Sequence, residues 1–94
     1  MNVLLQVPDT VKAYIDISEY WPKDEDGELA SVNSIYQGLL NTPNEIGRNT
    51  LRLALSGQLD RGYFSNQVKL ARLVSEWAGK EVSIIDLMKV VEDS

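Results

Sequence analysis

The sequence predicts an all-α fold, a compact bundle of five helices within one domain that spans residues 1–94. Three observations support this prediction. Apolar residues recur at helical spacing, capping residues stand where helices would begin, and proline or glycine stands where they would end. A hydrophobic content of 44% and a charged content of 24% are typical of a folded globular chain.

The N-terminal part is predicted to contain an arm, one helix and a loop. Residues 1–8 include an apolar run that is too short for a helix, so they are expected to form a short strand or a loose arm. A first helix follows, with Asp9 or Thr10 as its cap, and ends at Pro22. The charged segment 23–29 is typical of an exposed loop.

A second helix has the clearest periodicity. Ser31 can cap it, and Pro43 ends it because proline lacks a backbone donor. Its apolar residues occupy the i, i+3, i+4, i+7 and i+8 positions of one face: Val32, Ile35, Tyr36, Leu39 and Leu40.

A third helix ends before Gly57, which suits the position just beyond a helix C-terminus. Two alternatives are open for its start. Segment 42–45 is a capping box with proline at the first helical position, whereas Gly47 or Asn49 would begin a shorter helix. Its inward-facing residues are predicted to be Ile46, Leu51 and Ala54.

The fourth and fifth helices complete the predicted bundle. The fourth opens at Ser65 or Asn66 and closes at Gly79. Segment 83–86 is a capping box that is expected to start the fifth. The fifth helix has more apolar residues than one buried stripe needs, namely Ile84, Ile85, Leu87, Met88 and Val91. The surplus either belongs to the core or contacts a second subunit.

Composition excludes many functions. With no cysteine and no histidine, a disulfide, a thiol nucleophile, a cysteine zinc site and a histidine general base are all ruled out. No catalytic motif or phosphate loop is present, so neither an enzyme nor a cofactor is expected. An EF-hand alignment on Gly27 would place Pro22 at the first ligand and Asn33 at the twelfth, so no metal site is expected. The start of the chain resembles neither a secretory signal nor a membrane span, which predicts a soluble cytoplasmic protein without a membrane partner.

The charges are unevenly distributed along the chain. The net charge of −5 argues against a nucleic-acid partner. Residues 1–45 contain two bases and eight acids, and residues 73–94 contain two bases and five acids, but residues 46–72 contain five bases and one acid. Because the Debye length is about 8 Å at physiological salt, a phosphate near residues 46–72 would respond mainly to the local positive charge. Net acidity therefore does not exclude DNA.

A family resemblance rests on the segment 46–51, on Gly57 seven residues after Thr50, and on several residues further along. These later residues are Leu70, Ala71, Val74, Trp77, Gly79, Val82, Ser83, Asp86 and Leu87. With them, the chain from about Ile35 to Met88 resembles the lambda-repressor-like, or Xre-type, helix-turn-helix family. The resemblance covers a little over half of the chain. It implies a helix-turn-helix over residues 31–57, with the third helix as the recognition helix.

The resemblance also implies a set of DNA-contacting residues. In such proteins one helix enters the major groove, where arginine can bridge two acceptors of guanine and asparagine can pair with adenine. The residues expected at the DNA are Gln37, Arg48, Asn49, Arg52, Ser56, Arg61 and Lys69. Of these, Gln37, Arg61 and Lys69 are expected near phosphates. The alternative for Arg48 and Arg52 is a pair of solvated side chains, and the alternative for Asn49 is a helix cap.

Two functions are consistent with the sequence. The first is a sequence-specific transcriptional regulator that binds duplex DNA, expected to be a homodimeric repressor paired through the N-terminal arm or the fifth helix. The alternative is a small acidic helical protein-interaction module on a helix-turn-helix frame, such as an accessory subunit, an antitoxin-like partner or a phage-encoded inhibitor. The acidic balance, the acidic loop and the extra leucines Leu53 and Leu55 support the alternative. Either one of these leucines meets a thymine methyl, or the third helix is packed on two sides and does not read DNA.

Overall fold

The structure, a computed structural model, describes residues 11–92 and the side chains of residues 12–91. The described chain contains, in order, strand β1 (Val11–Ile15), helices α1 (Val32–Leu39), α2 (Arg48–Leu55) and α3 (Phe64–Ala78), and strand β2 (Met88–Glu92). Short 3-10 turns lie at Ser18–Tyr20 and Ile85–Leu87. The described residues therefore form three helices and a two-stranded antiparallel sheet. The predicted arm, residues 1–8, lies outside the described residues.

The prediction of an all-α bundle of five helices is wrong at both ends of the described chain. The segment predicted as the first helix contains β1 and a 3-10 turn, and the segment predicted as the fifth contains a 3-10 turn and β2. The two strands pair antiparallel, with Val11 opposite Glu92 and Ile15 opposite Met88. Both strands are rich in β-branched residues, which favour a pleated surface, whereas such short isolated helices are marginal.

Backbone hydrogen bonds hold the C-terminal end of β1 along both of its edges. The Ile15 N–H donates to the Leu59 carbonyl at 2.8 Å, and the Asp16 N–H donates to the Leu87 carbonyl at 3.0 Å. Ile15 also forms an isolated antiparallel bridge with Leu59. The end of β1 therefore lies between β2 and the segment that follows α2.

The second and fourth predicted helices are confirmed as α1 and α3. Ser31 caps α1, since its Oγ accepts the Ser34 N–H at 3.0 Å. Helix α3 begins at Phe64, one residue before the earlier of its two predicted starts, and Gly79 is its C-cap. Gly79 has φ of +68°, the left-handed cap that glycine favours.

The connection between α1 and α2 differs from a compact helix-turn-helix. It covers residues 40–47, whereas the compact motif has a turn of about three or four residues. Within it, the Asn41 N–H donates to the Glu45 carboxylate at 3.0 Å, and the Thr42 hydroxyl donates to the Leu39 carbonyl at 2.7 Å. The predicted capping box thus stabilises the connection instead of starting a helix. Of the two starts left open, the later one, with Gly47 as the N-cap, is observed.

The core is entirely apolar in the part of the chain that the structure describes. Its buried members include Ile17 from the segment after β1, Leu51 from α2, and Leu70 and Val74 from α3. The Ile17 N–H donates to the Ala54 carbonyl at 3.0 Å, which attaches the strand segment to the end of α2. The three helices and the C-terminal end of β1, at Ile15, thus share one core.

Replacement of Gly57 by alanine is expected to destabilise the fold by about 1–2 kcal/mol. Gly57 has φ of +72°, and a Cβ there would lie 2.8 Å from Oδ2 of Asp16. Gly38 is the matched control because it lies within α1 with open space around it, so Gly38→Ala is expected to stabilise the helix by up to about 1 kcal/mol. Urea denaturation measures both changes. Equal effects of the two substitutions would show that neither the left-handed backbone of Gly57 nor the Asp16 contact influences stability.

Asp16 is expected to make the fold sensitive to acid. Partial burial pushes the pKa of its carboxyl up, but hydrogen bonds from Ser18 and the charge of Lys89 outweigh this, so the pKa is lowered. The folded-state pKa therefore lies below the unfolded value of about 3.9, and the resulting stabilisation is present above that value and is lost as the pH falls through the folded-state pKa.

We expect the melting temperature of the native protein to fall below about pH 4 more steeply than that of Asp16→Asn. The control is Glu19→Gln, at an exposed position in the adjacent 3-10 turn. Thermal melts at pH 2–7 test this expectation. If the Asp16→Asn and native profiles run parallel, Asp16 is not an acid-sensitive group of the fold.

Candidate nucleic-acid interface

Four of the predicted DNA-contacting residues lie together on one side of α2 and of its C-cap residue, Ser56. Arg48, Asn49, Arg52 and Ser56 are all exposed. At 3.6 residues per turn they span an arc of about 100°. We call this surface the α2 face. Leu51 and Ala54, on the opposite side, are fully buried as predicted.

Arg48 is oriented by two contacts with α1. Its Nη1 donates to Oδ1 of Asn33 at 3.1 Å, and its guanidinium carbon lies 4.8 Å from the ring centroid of Tyr36, a cation–π geometry. Both partners are neutral, so the positive charge is not cancelled. Because a guanidinium carries five N–H donors, the others remain available. The arginine is therefore held in place while it keeps its binding capacity.

The positive charge of the α2 face is not neutralised by the carboxylates that the structure describes. Between side chains 12–91, the ion pairs are Arg61 with Asp60 and Lys89 with Asp16. Neither pair involves Arg48 or Arg52. The N-terminal end of a helix also carries a partial positive charge, which adds to that of the arginines.

Asn49 and Ser56 differ in what they can offer. Asn49 is not the helix cap, because Gly47 takes that position, and its exposed side chain is left for other contacts. The Ser56 hydroxyl donates to the Leu53 carbonyl at 3.1 Å, so it is turned back towards the helix. Ser56 can therefore act as an acceptor but not as a free donor.

The remaining predicted DNA contacts are not part of the α2 face. Arg61 lies in the loop after α2, where its Nε is 3.5 Å from Oδ1 of Asp60. Lys69 donates from Nζ to the Glu45 carbonyl at 3.0 Å and so ties α3 to the connection before α2. Gln37 is exposed on α1.

Sequence reasoning missed the role of Asn33 and placed Tyr36 only on the buried face. Asn33 contacts Arg48 across fifteen positions of sequence, which periodicity alone does not reveal. One signal was available: Asn33 and Gln37 are four positions apart on α1, so their side chains share one side of that helix.

The extra leucines of α2 are explained by the fold. Leu53 and Leu55 are half-buried and pack against the core. Helix α2 is thus packed along both flanks, and its exposed surface is limited to the α2 face. The leucines therefore do not serve as thymine contacts, and packing on both flanks is the arrangement that the sequence predicts for a helix that does not read DNA.

The acidic loop is folded on itself. The Asp24 carboxylate accepts the N–H of Asp26 at 2.9 Å and that of Glu28 at 3.1 Å. Lys23 and Leu29 form a bridge across the loop. Among the described residues, no three acidic side chains come together in a way that could hold a metal ion.

A second surface feature is an open apolar groove of about 670 Å³ along α3. Phe64, Val68 and Ala71 of α3 line it, together with Val82 and Ile84 from the segment that follows the helix. Phe64 is 83% exposed, which is high for a phenylalanine. No residue of the α2 face lines this groove.

The chain matches no known protein-family model, no curated protein and no solved structure. The resemblance to the lambda-repressor-like family therefore stays a prediction. As for membranes, none of the helices in residues 11–92 has the length and apolar character needed to cross one.

Proposed function

We propose that the protein binds duplex DNA through the α2 face and regulates transcription as a homodimer on a two-fold operator. One observation carries the proposal: Arg48, Asn49 and Arg52 are exposed together on one helix face, without a described carboxylate partner. The major groove admits one helix, and these residue types pair with guanine and adenine.

The proposal predicts a particular salt dependence. Each phosphate contact contributes about −0.9 to the slope of log K against log salt. The α2 face has two arginines, and Arg61 lies in the next loop, so each subunit has few cations to offer. We expect weak binding by one subunit, and dimerisation would double the contacts and set the half-site spacing.

Fluorescence anisotropy with a random-sequence duplex, from 25 to 200 mM salt, tests the proposal. We expect binding at the lowest salt and a slope of about −2 to −4. A duplex that binds equally well at all salt concentrations, or no binding at 25 mM salt, would contradict it.

The alternative function is a protein-interaction module, and the apolar groove on α3 favours it. Phe64 and Val68 leave an exposed apolar strip that a partner helix could cover. The substitution Phe64→Ser tests whether the groove takes part in DNA binding. If the α2 face binds DNA, this variant keeps the native affinity, because Phe64 is not part of that face. If the native protein does not bind DNA at low salt, the interaction module becomes the better account.

A further inference from the structure

The outer edge of β2 is open among the described residues. Amide groups alternate in direction along a strand, and the Ile15 N–H points to Leu59 while the Asp16 N–H points to Leu87. Tyr14 and Lys12 therefore face β2, where their register partners are Lys89 and Val91. The backbone groups of Val90 consequently face away from β1.

Met88 and Glu92 continue this outward row. The Met88 N–H closes the 3-10 turn by donating to the Ile85 carbonyl, which leaves the Met88 carbonyl on the open edge. Glu92 has the same direction as Val90 because it lies two positions further along the strand. In the described chain, no strand pairs with β2 on this side. A row of unpaired backbone groups can add a strand from another chain.

The side chains of β2 are also exposed. Val90 is 59% exposed, Met88 is 45% exposed and Val91 is 43% exposed. Val90 lies opposite Ala13 in the register, so an apolar pair occupies one side of the ribbon. A two-stranded ribbon is only marginally stable by itself, and a further strand would cover the open side of this pair.

We infer that β2 is the homodimer interface: the β2 strands of two copies pair antiparallel about a two-fold axis at Val90. This inference names the interface of the dimer in the proposed function, but it does not depend on DNA binding.

The backbone groups on the open edge are self-complementary in this arrangement. A two-fold axis perpendicular to the sheet leaves each side chain on the same face of the sheet. An even-numbered residue must therefore pair with an even-numbered residue of the second copy, and an odd-numbered residue with an odd-numbered one. Pairing Val90 with its counterpart provides two hydrogen bonds. The same register brings the Glu92 N–H of each copy to the Met88 carbonyl of the other. The Met88 N–H also belongs to the open edge, but it already donates to the Ile85 carbonyl. None of these hydrogen bonds between the two copies requires it.

Charge favours a second copy in the antiparallel direction. In this register Lys89 lies opposite Val91 of the second copy, on the same face of the sheet. Parallel pairing in register would instead place the two Lys89 side chains directly opposite each other, and like charges in that position are destabilising.

Proline substitutions at Val90 and at Ala13, which lie opposite each other in β2 and β1, test the inference. Val90→Pro removes an N–H that faces the open edge and leaves the hydrogen bonds to β1 intact. Ala13→Pro is the matched control, since the Ala13 N–H also faces away from β2, but towards the opposite edge of the ribbon. Sedimentation equilibrium without DNA is expected to show dimers for the native protein and Ala13→Pro, and monomers for Val90→Pro.

A second pair of variants covers the case in which proline prevents folding. Val90→Glu places two carboxylates at the two-fold axis and is expected to give a folded monomer, while Ala13→Glu stays dimeric. Circular dichroism verifies the fold of each variant. Deletion of residues 2–9 is expected to keep the dimer.

Three results would overturn the inference: a monomeric native protein, a folded Val90→Glu variant that stays dimeric, or loss of the dimer when residues 2–9 are deleted. The last result would transfer the interface to the N-terminal segment. Since none of these measurements contains DNA, failure here is distinguishable from failure of DNA binding.

Discussion

Replacement of both Arg48 and Arg52 by alanine is expected to weaken binding to duplex DNA by at least about 30-fold. An arginine that bridges two acceptors of guanine contributes about 1–3 kcal/mol, and 1.4 kcal/mol corresponds to a factor of ten in affinity. Fluorescence anisotropy at low salt measures this loss. If instead the arginines contact phosphates, the salt slope should become shallower by about 0.9 for each arginine removed.

The stability of the same variant separates a binding role from a structural one. Arg52 forms no ion pair with a described side chain, and Arg48 makes one exposed hydrogen bond and one cation–π contact. We therefore expect the double substitution to lower the free energy of unfolding by no more than about 1 kcal/mol.

Lys80→Ala is the control for removal of a positive charge elsewhere, because Lys80 is exposed beyond the end of α3 and is not part of the α2 face. It is expected to change DNA affinity only slightly. Unfolding of the double arginine variant would show that the arginines are structural. Unchanged binding by a folded double variant would show that the α2 face is not the DNA site.

Replacement of Trp21 by alanine is expected to destabilise the protein by about 3–5 kcal/mol. Trp21 is buried, and its ring packs edge-on against Trp77 with centroids 5.4 Å apart. Its Nε1 donates to the Ala30 carbonyl at 2.7 Å and so attaches the end of the acidic loop to the core. For a domain of this size, the loss corresponds to a fall of at least about 12 °C in melting temperature.

Thermal melts of three variants test this expectation. Trp21→Phe keeps most of the apolar contact but leaves the Ala30 carbonyl without its donor, so an intermediate loss of about 1–2 kcal/mol is expected. Tyr63→Ala, at an 80% exposed position, is the control and should change stability by less than about 0.5 kcal/mol. Equal melting temperatures for Trp21→Ala and Tyr63→Ala would show that Trp21 is not part of the core.

The helices that the sequence predicted correctly are those specified by local signals. The Ser31 cap and the Gly79 stop act within a few residues of the helix ends, and one apolar face runs the length of α1. Such signals are visible in a single sequence because cause and effect lie close together along the chain.

The two strands, at the ends of the described residues, could not be predicted in the same way. Val11 and Glu92 pair across nearly the whole length of the chain, and no local pattern reveals a partner at that distance. The spacing of Val11, Tyr14 and Ile15 fits a helix face, but Val11 and Ile15 also fit one side of a strand. The pairing of β1 with β2 selects the strand over the helix.

The candidate site also combines features that the local sequence predicts with contacts between elements that it does not predict. Helical periodicity correctly placed Arg48, Asn49 and Arg52 on the exposed side of α2 and Leu51 on the buried side. Periodicity could not show that Asn33 holds Arg48, since that contact joins two helices. Nor could it show that Lys69 is engaged by a backbone carbonyl of the α1–α2 connection.

The most direct test of the DNA-binding account is an NMR titration of the ¹⁵N-labelled protein with duplex DNA at low salt. The account predicts that the largest amide shift changes fall on residues 47–56, with smaller changes at Asn33 and Gln37 on the neighbouring helix. Shift changes concentrated at Phe64 and Val68 in the α3 groove, or no changes at all, would contradict it.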